Sequence, residues 1–137
     1  KSCNNFVIMG HLEPNKTFDA MSMMDVLLMP YQQSVSIGLD GVDTAKWMSP
    51  MKMFEYMSVG VPIISSDLPV LREVLVNLEN CLLVKSNDVK DWSEALRRLS
   101  DSKELSEELG TNAYKQYLSE HTWEIRAKRT LAIFSKG

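Results

Sequence analysis

The stretch from Trp47 to Asp67, WMSPMKMFEYMSVGVPIISSD, constrains the fold more than any other part of this chain. It reads as a helix entrance, a helix, a glycine stop and a buried strand. Ser49 suits an N-cap, because its hydroxyl can accept from a free backbone N–H one turn on. Pro50 then falls at the first helical position, where its missing N–H costs nothing. Met53, Phe54 and Met57 form an apolar stripe. Gly60 ends the helix, since glycine enters the left-handed region without a Cβ clash. Val61-Pro62-Ile63-Ile64 is short, apolar and β-branched, which predicts a strand covered on both faces.

Lys52 and Glu55 are three apart and share a face near the start of that helix. A helix N-terminus offers unpaired N–H groups and a partial positive charge, to which Lys52 adds a full one. An anion such as a diphosphate suits this end, and Glu55 can accept from sugar hydroxyls. The same spacing equally describes a surface ion pair of a few tenths of a kcal/mol, and the residues alone leave both readings open.

Around this segment, apolar runs alternate with helical patterns. Phe6–Gly10 reads as a buried parallel strand closed by glycine, followed by a loop over His11–Lys16 and a helix over Thr17–Met24, with Phe18, Met21 and Met24 facing inward. Asp25–Tyr31 is the second strand, with Pro30 near its end. Residues 32–48 form a long polar loop containing Gly38 and Gly41. It leaves the carboxyl end of a strand, where open parallel sheets bind ligands. After the Ile63 strand, Asp67 is expected to cap a helix reaching about Val76. Cys81–Val84 is the fourth strand. Three helices follow: one carrying Val89, Trp92, Leu96 and Leu99; one from Asp101 with an Asp101-x-x-Glu104 capping box; and one from Thr122 carrying Trp123, Ala127, Leu131 and Phe134. The whole, 1–137, reads as one α/β domain with a Rossmann-like, mostly parallel sheet and flanking helices.

Composition narrows the function classes. A formal net charge of −3 argues against a general nucleic-acid binder. Cys3 and Cys81 are far apart and fit ordinary thiols of a reducing compartment. His11 and His121 have no partner at metal-ligand spacing, so no metal is expected. No apolar run approaches the roughly 20 residues of a membrane span. No G-x-G-x-x-G follows a strand, which argues against a redox Rossmann enzyme. No signal peptide is read at the start, and Lys1 leaves room for sequence upstream.

The run SPMKMFEYMSVGVPIISSDLPVLREVL closely resembles the nucleotide-binding helix of the retaining family-4 glycosyltransferases. The DVLLMPY and NCLLV strands and the HTWEIRA helix fall in matching places, so the resemblance covers nearly the whole chain. It implies the later part of the C-terminal domain of a GT-B fold, with a further N-terminal domain supplying the acceptor site. The implied reaction is sugar transfer from a nucleoside diphosphate sugar to an acceptor hydroxyl with retention. That donor is a substrate, so no cofactor is implied. The implied setting is cytoplasmic, with room for peripheral attachment at the inner face of a membrane.

The resemblance also assigns residues. Glu55 matches the glutamate that binds the ribose hydroxyls. Ser49, Met51 and Lys52 match the phosphate end of the helix, and Gly10 and His11 the turn that meets the base. Glu73 matches a further family glutamate, although a helix glutamate is ordinarily just solvated. Two departures stand out. The first family glutamate, eight positions before Glu55, falls at Trp47, which cannot accept as a carboxylate does; Asp40 or Asp43 are substitutes only by position. Pro50 stands where the family often has a glycine N–H facing phosphate, and Lys52 can compensate as a point charge. The alternatives are a nucleotide-sugar epimerase of the same fold and a non-catalytic sugar-nucleotide-binding module, the latter favoured by Trp47.

Overall fold

The computed structural model describes residues 5–32 and 51–134. Its centre is a parallel three-stranded sheet in the order β1 (Leu27–Met29), β2 (Ile63–Ser66), β3 (Leu82–Val84). Leu27 pairs with Ile63, and Ile64 with Leu82. Helix α1 (Pro14–Ser22) precedes β1 and α2 (Met51–Val59) precedes β2. Helices α3 (Val89–Asp101), α4 (Lys103–Gln116) and α5 (Trp123–Phe134) follow β3, with a π turn, Tyr117–His121, between the last two.

Strand β2 is buried along its whole length, as its apolar run requires. Its side chains alternate between two cores. Ile63 joins Met29, Met53, Met57 and Leu71 on the α2 side, while Ile64 joins Leu82, Ala95, Leu99 and Leu109 on the α3 side. Burying one such side chain fully is worth about 1.5–3 kcal/mol, so β2 anchors both layers. Gly60 makes the turn into it at φ +71°. Pro30 directly follows β1, where no ladder donor is needed.

Several expected elements differ. Phe6–Gly10 forms no strand, with Phe6 76% and Ile8 81% exposed. An apolar run becomes a buried strand only beside a partner edge, and among the described residues it has none. The observed sheet therefore has three strands rather than four. Helix α1 begins at Pro14, not Thr17, because Pro14 occupies the first helical position rather than a loop turn. It ends at Ser22, and Phe18 and Met24 are exposed. Asp67 does not cap a helix. Its carboxylate is taken by a forked pair with Arg72, Nη2 to Oδ2 at 2.6 Å, and only a short 3-10 turn forms at Leu71–Glu73.

Farther on, Asp101 is the last residue of α3, and Ser102 caps α4 by accepting from the Leu105 N–H at 3.2 Å. Asp88 caps α3. The buried residues of α3 are Ala95 and Leu99, with Val89 and Leu96 exposed. Helix α5 buries none of its residues, and Trp123, expected as a core anchor, is 71% exposed. Met53 and Met57 fill the core as expected, whereas Met51 is exposed. Cys81 is a buried free thiol; burial, with the charge of Asp67, pushes its pKa up to about 12. Cys3, Met48 and the loop over 33–48 lie outside the described residues.

Candidate functional site

Helix α2 carries Glu55 into the electrostatic reach of Tyr31, which follows β1. Its stripe of Met53 and Met57 is pinned in the core, and a 3.6-residue period then leaves Glu55 half-buried and Lys52 exposed. Two phenols share the electrostatic surroundings of Glu55: Tyr31, just beyond β1, and Tyr56 beside it on α2. Burial raises the pKa of Tyr31, and the Glu55 charge raises it further. Tyr56 is raised by burial, then by Tyr31 and Glu55. Both hydroxyls therefore stay protonated at neutral pH and available as donors. A carboxylate with one phenol just past β1 and another on α2 suits a ligand rich in hydroxyls.

On its other flank Glu55 lines a cleft of about 260 Å³ closed by α1, α2, the π turn and α5. Met51, Phe54 and Ser58 share that wall with it, and Phe18, His121, Trp123 and Arg126 face them. The Phe54 and His121 rings lie 4.9 Å apart at 44°, and the Arg126 guanidinium sits 5.2 Å over the Trp123 ring. The walls are thus aromatic, with a carboxylate on one side and a cation on the other.

The expected residues are only partly gathered. Met51 and Glu55 line the same cleft. Lys52 shares α2 but makes no ion pair with Glu55 among the described residues. Gly10 adopts φ +69° with open space around its Cβ direction, and His11 is exposed; neither lines the cleft. Glu73 ends the short 3-10 turn in an exposed position. Ser49, Pro50, Trp47, Asp40 and Asp43 lie outside the described residues. Sequence reasoning missed Tyr31, Tyr56 and Arg126, and weighed His121 only as a metal ligand. The signal for Tyr31 was its place right after the strand-ending Pro30.

Among the described residues no group of three or more His, Cys, Asp or Glu could hold a metal ion. No helix of the described residues is long and apolar enough to cross a membrane.

The chain resembles known proteins over most of its length. It is 28% identical over 83 residues to a D-inositol 3-phosphate glycosyltransferase from Nocardioides sp., covering 61% of this chain and 18% of that protein. It is 32% identical over 84 residues to an MMP alpha-(1->4)-mannosyltransferase from Mycolicibacterium hassiacum, covering 61% of this chain and 20% of that protein. The chain thus spans about a fifth of the length of the curated relatives it matches. Among solved structures, sucrose-phosphate synthase from Thermosynechococcus elongatus superposes with a TM-score of 0.75 at 19% identity, covering 93% of this chain and 29% of that one. The C-terminal domain of a glycosyl transferase group 1 family protein from Francisella tularensis gives 0.66 at 16% identity, covering 85% and 53%. These likenesses bear out the expected Rossmann-like domain of a GT-B fold. The model of the family described as glycosyl transferase-like matches residues 2–132, and the chain belongs to that family.

Proposed function

We propose that this chain is the donor-binding domain of a retaining, family-4-type glycosyltransferase that uses a nucleoside diphosphate sugar. In the reaction, the bond from the sugar's anomeric carbon to the diphosphate breaks and a bond to an acceptor oxygen forms. The acceptor hydroxyl gives up its proton and the nucleoside diphosphate leaves as an anion. Stabilising that leaving anion is the main task of such a site. In this reading Lys52 and the backbone N–H groups at the start of α2 meet that charge. Glu55 accepts from the ribose hydroxyls, and the acceptor is held by a further domain. No metal or cofactor takes part. The enzyme acts on the cytoplasmic side, with peripheral attachment at the inner face of a membrane compatible with the fold.

The observation that carries this reading is the position of Glu55: half-buried, electrostatically coupled to Tyr31 just past β1 and to Tyr56 on α2, on the helix whose sequence carries the family likeness. Calorimetric titration tests it. Wild-type protein should bind uridine or guanosine diphosphate, and Glu55→Gln should weaken the ribonucleotide much more than its 2′-deoxy analogue. Hydrogen bonds to a charged acceptor are worth about 1.5–3 kcal/mol, so the loss should reach roughly tenfold or more. Equal affinities of wild type and Glu55→Gln for every nucleotide would refute the assignment. Trp47 at the place of the first family glutamate favours a second reading, a sugar-nucleotide-binding module without transfer activity. Donor binding with no sugar transfer by the full enzyme would select it.

A further inference from the structure

His121 sits at the junction of three elements. It ends the π turn between α4 and α5, it lines the cleft opposite Glu55, and its ring packs on Phe54 of α2. Its side chain is only 16% exposed, and Nε2 is buried without a hydrogen-bond partner. The nearest carboxylate oxygen, on Glu120, is 3.8 Å from Nε2, too far for a hydrogen bond. A neutral imidazole tolerates such a seat far better than a charged one, because burial penalises charge. The charged groups around it divide. Glu120 on its own turn favours the cation, whereas Arg129 and Arg126 on α5 oppose it, and burial outweighs them all. Across the cleft α2 contributes Glu55, the π turn contributes Tyr117, and α1 contributes only the uncharged Phe18. Helix α5 buries no residue of its own, and the His121 ring contact ties to α2 the π turn from which α5 starts.

We propose that His121 is a positioning residue for the donor cleft: neutral, it wedges between α2 and α5 and sets the distance from Glu55 to Trp123 and Arg126; protonated, it leaves its seat on Phe54 and the cleft widens. The inference rests on the nucleotide reading of Glu55. It assigns the protein a donor affinity that weakens on mild acidification.

The sign follows from linkage. The folded state holds the His121 pKa below the ordinary histidine value of 6.5. The stabilisation is therefore complete above that value and is lost as pH falls from there through the folded pKa. Two measurements on the purified protein separate the claims. The first is thermal unfolding without ligand, from about pH 7.5 down to about pH 5.5, across the histidine range. The second is calorimetric titration with uridine and guanosine diphosphate over the same range. His121→Phe keeps an aromatic wedge but cannot titrate, and His121→Gln, a smaller uncharged side chain, serves if the first variant does not fold. Comparison with the variant cancels the titration of the ligand's own phosphate.

Expected are a wild-type Tm that falls on acidification more than the variant's, and a wild-type Kd that rises severalfold more than the variant's. Each variant's own Tm and Kd at the upper pH serve as its reference, and only the change on acidification is compared. Parallel Kd profiles would overturn the positioning role, even where the Tm profiles differ, and parallel profiles in both measurements would overturn any switch at His121. Absence of nucleotide binding at every pH would instead overturn the donor-site reading, and with it the claim on affinity. The unfolding profiles would then decide alone whether His121 protonation loosens the π turn.

Discussion

Gly110 of α4 lies so close to Gly60 that a Cβ on Gly110 would stand 2.2 Å from the Gly60 carbonyl oxygen. That contact is between backbones, so no side chain can swing aside to relieve it. It fixes how α4 crosses the turn that leads from α2 into β2. Gly110→Ala should therefore destabilise by at least the 1–3 kcal/mol typical of overpacking, roughly estimated. Gly60→Ala has more room but must hold φ +71°, which costs an L-residue about 1–2 kcal/mol. Urea unfolding of both variants checks this, and a Gly110→Ala midpoint equal to wild type would show that α4 can shift freely on the turn.

Asn80 is the other fixed point between the layers. It is buried, accepts from the Val76 N–H at 2.8 Å, and donates to the Val74 carbonyl at 2.9 Å and to Gln116 on α4. Three of the four hydrogen bonds its side-chain amide can make are filled, both N–H donors among them. Asn80→Ala strands those partners, and each orphaned buried group costs about 1–3 kcal/mol. Gln116→Ala should cost less, because Asn80 keeps its two backbone bonds. A denaturant series with the two single variants and the double variant measures the coupling between them, which should be positive.

Asp67 and Arg72 give a pH signature. The hydrogen bond from Arg72, aided by its charge, holds the Asp67 carboxyl below its ordinary value despite some desolvation. A depressed carboxylate stabilises above the unfolded pKa and loses that contribution as pH falls through the folded value. The stability difference between wild type and Asp67→Asn should thus be present at neutral pH, begin to shrink near the ordinary carboxylate range of about pH 4, and vanish only below the depressed folded value. The pair is largely exposed, so the difference should be small. Unfolding curves across that range check both sign and size; a difference that persists in acid would mean that the substitution acts through something other than charge.

How far the sequence was legible depended on whether a residue's role was local. Gly60 ends α2 by backbone rules alone, but β2 runs Ile63–Ser66 rather than Val61–Ile64, because Pro62 has no N–H for the ladder and the pairing starts after it. Phe6–Gly10 misled because an apolar run records a preference for burial without recording a partner. Asp101 and Ser102 are both competent caps one residue apart, and spacing could not choose between them; packing of α3 made Asp101 its last turn. Asp67 was read as a cap because an arginine five residues on leaves no helical signature. In the site, Glu55 was legible from its motif. Tyr31 and His121 join the same region from distant parts of the chain, and only the fold brings them near α2.

Lys52 offers the sharpest separation between a ligand contact and a surface charge. It is exposed and unpaired with Glu55 among the described residues, so its removal should cost under about 1 kcal/mol of folding stability. If it serves the phosphate end of a donor, Lys52→Ala should weaken a nucleoside diphosphate severalfold and leave the bare nucleoside nearly unchanged. Its charge acts through solvent at the start of α2, where screening sets in over roughly 8–10 Å at physiological salt. The wild-type affinity for the diphosphate should accordingly fall as salt rises from about 50 to about 500 mM, and the variant's should fall less steeply. Glu55→Gln, by contrast, should keep the wild-type salt slope while losing discrimination for ribose. The two variants therefore differ in kind, one in charge dependence and one in hydroxyl recognition. Titration of nucleoside, diphosphate and 2′-deoxy diphosphate into both variants at each salt concentration measures this. Identical slopes in wild type and Lys52→Ala would leave Lys52 a solvated surface lysine and return the phosphate to the backbone N–H groups alone.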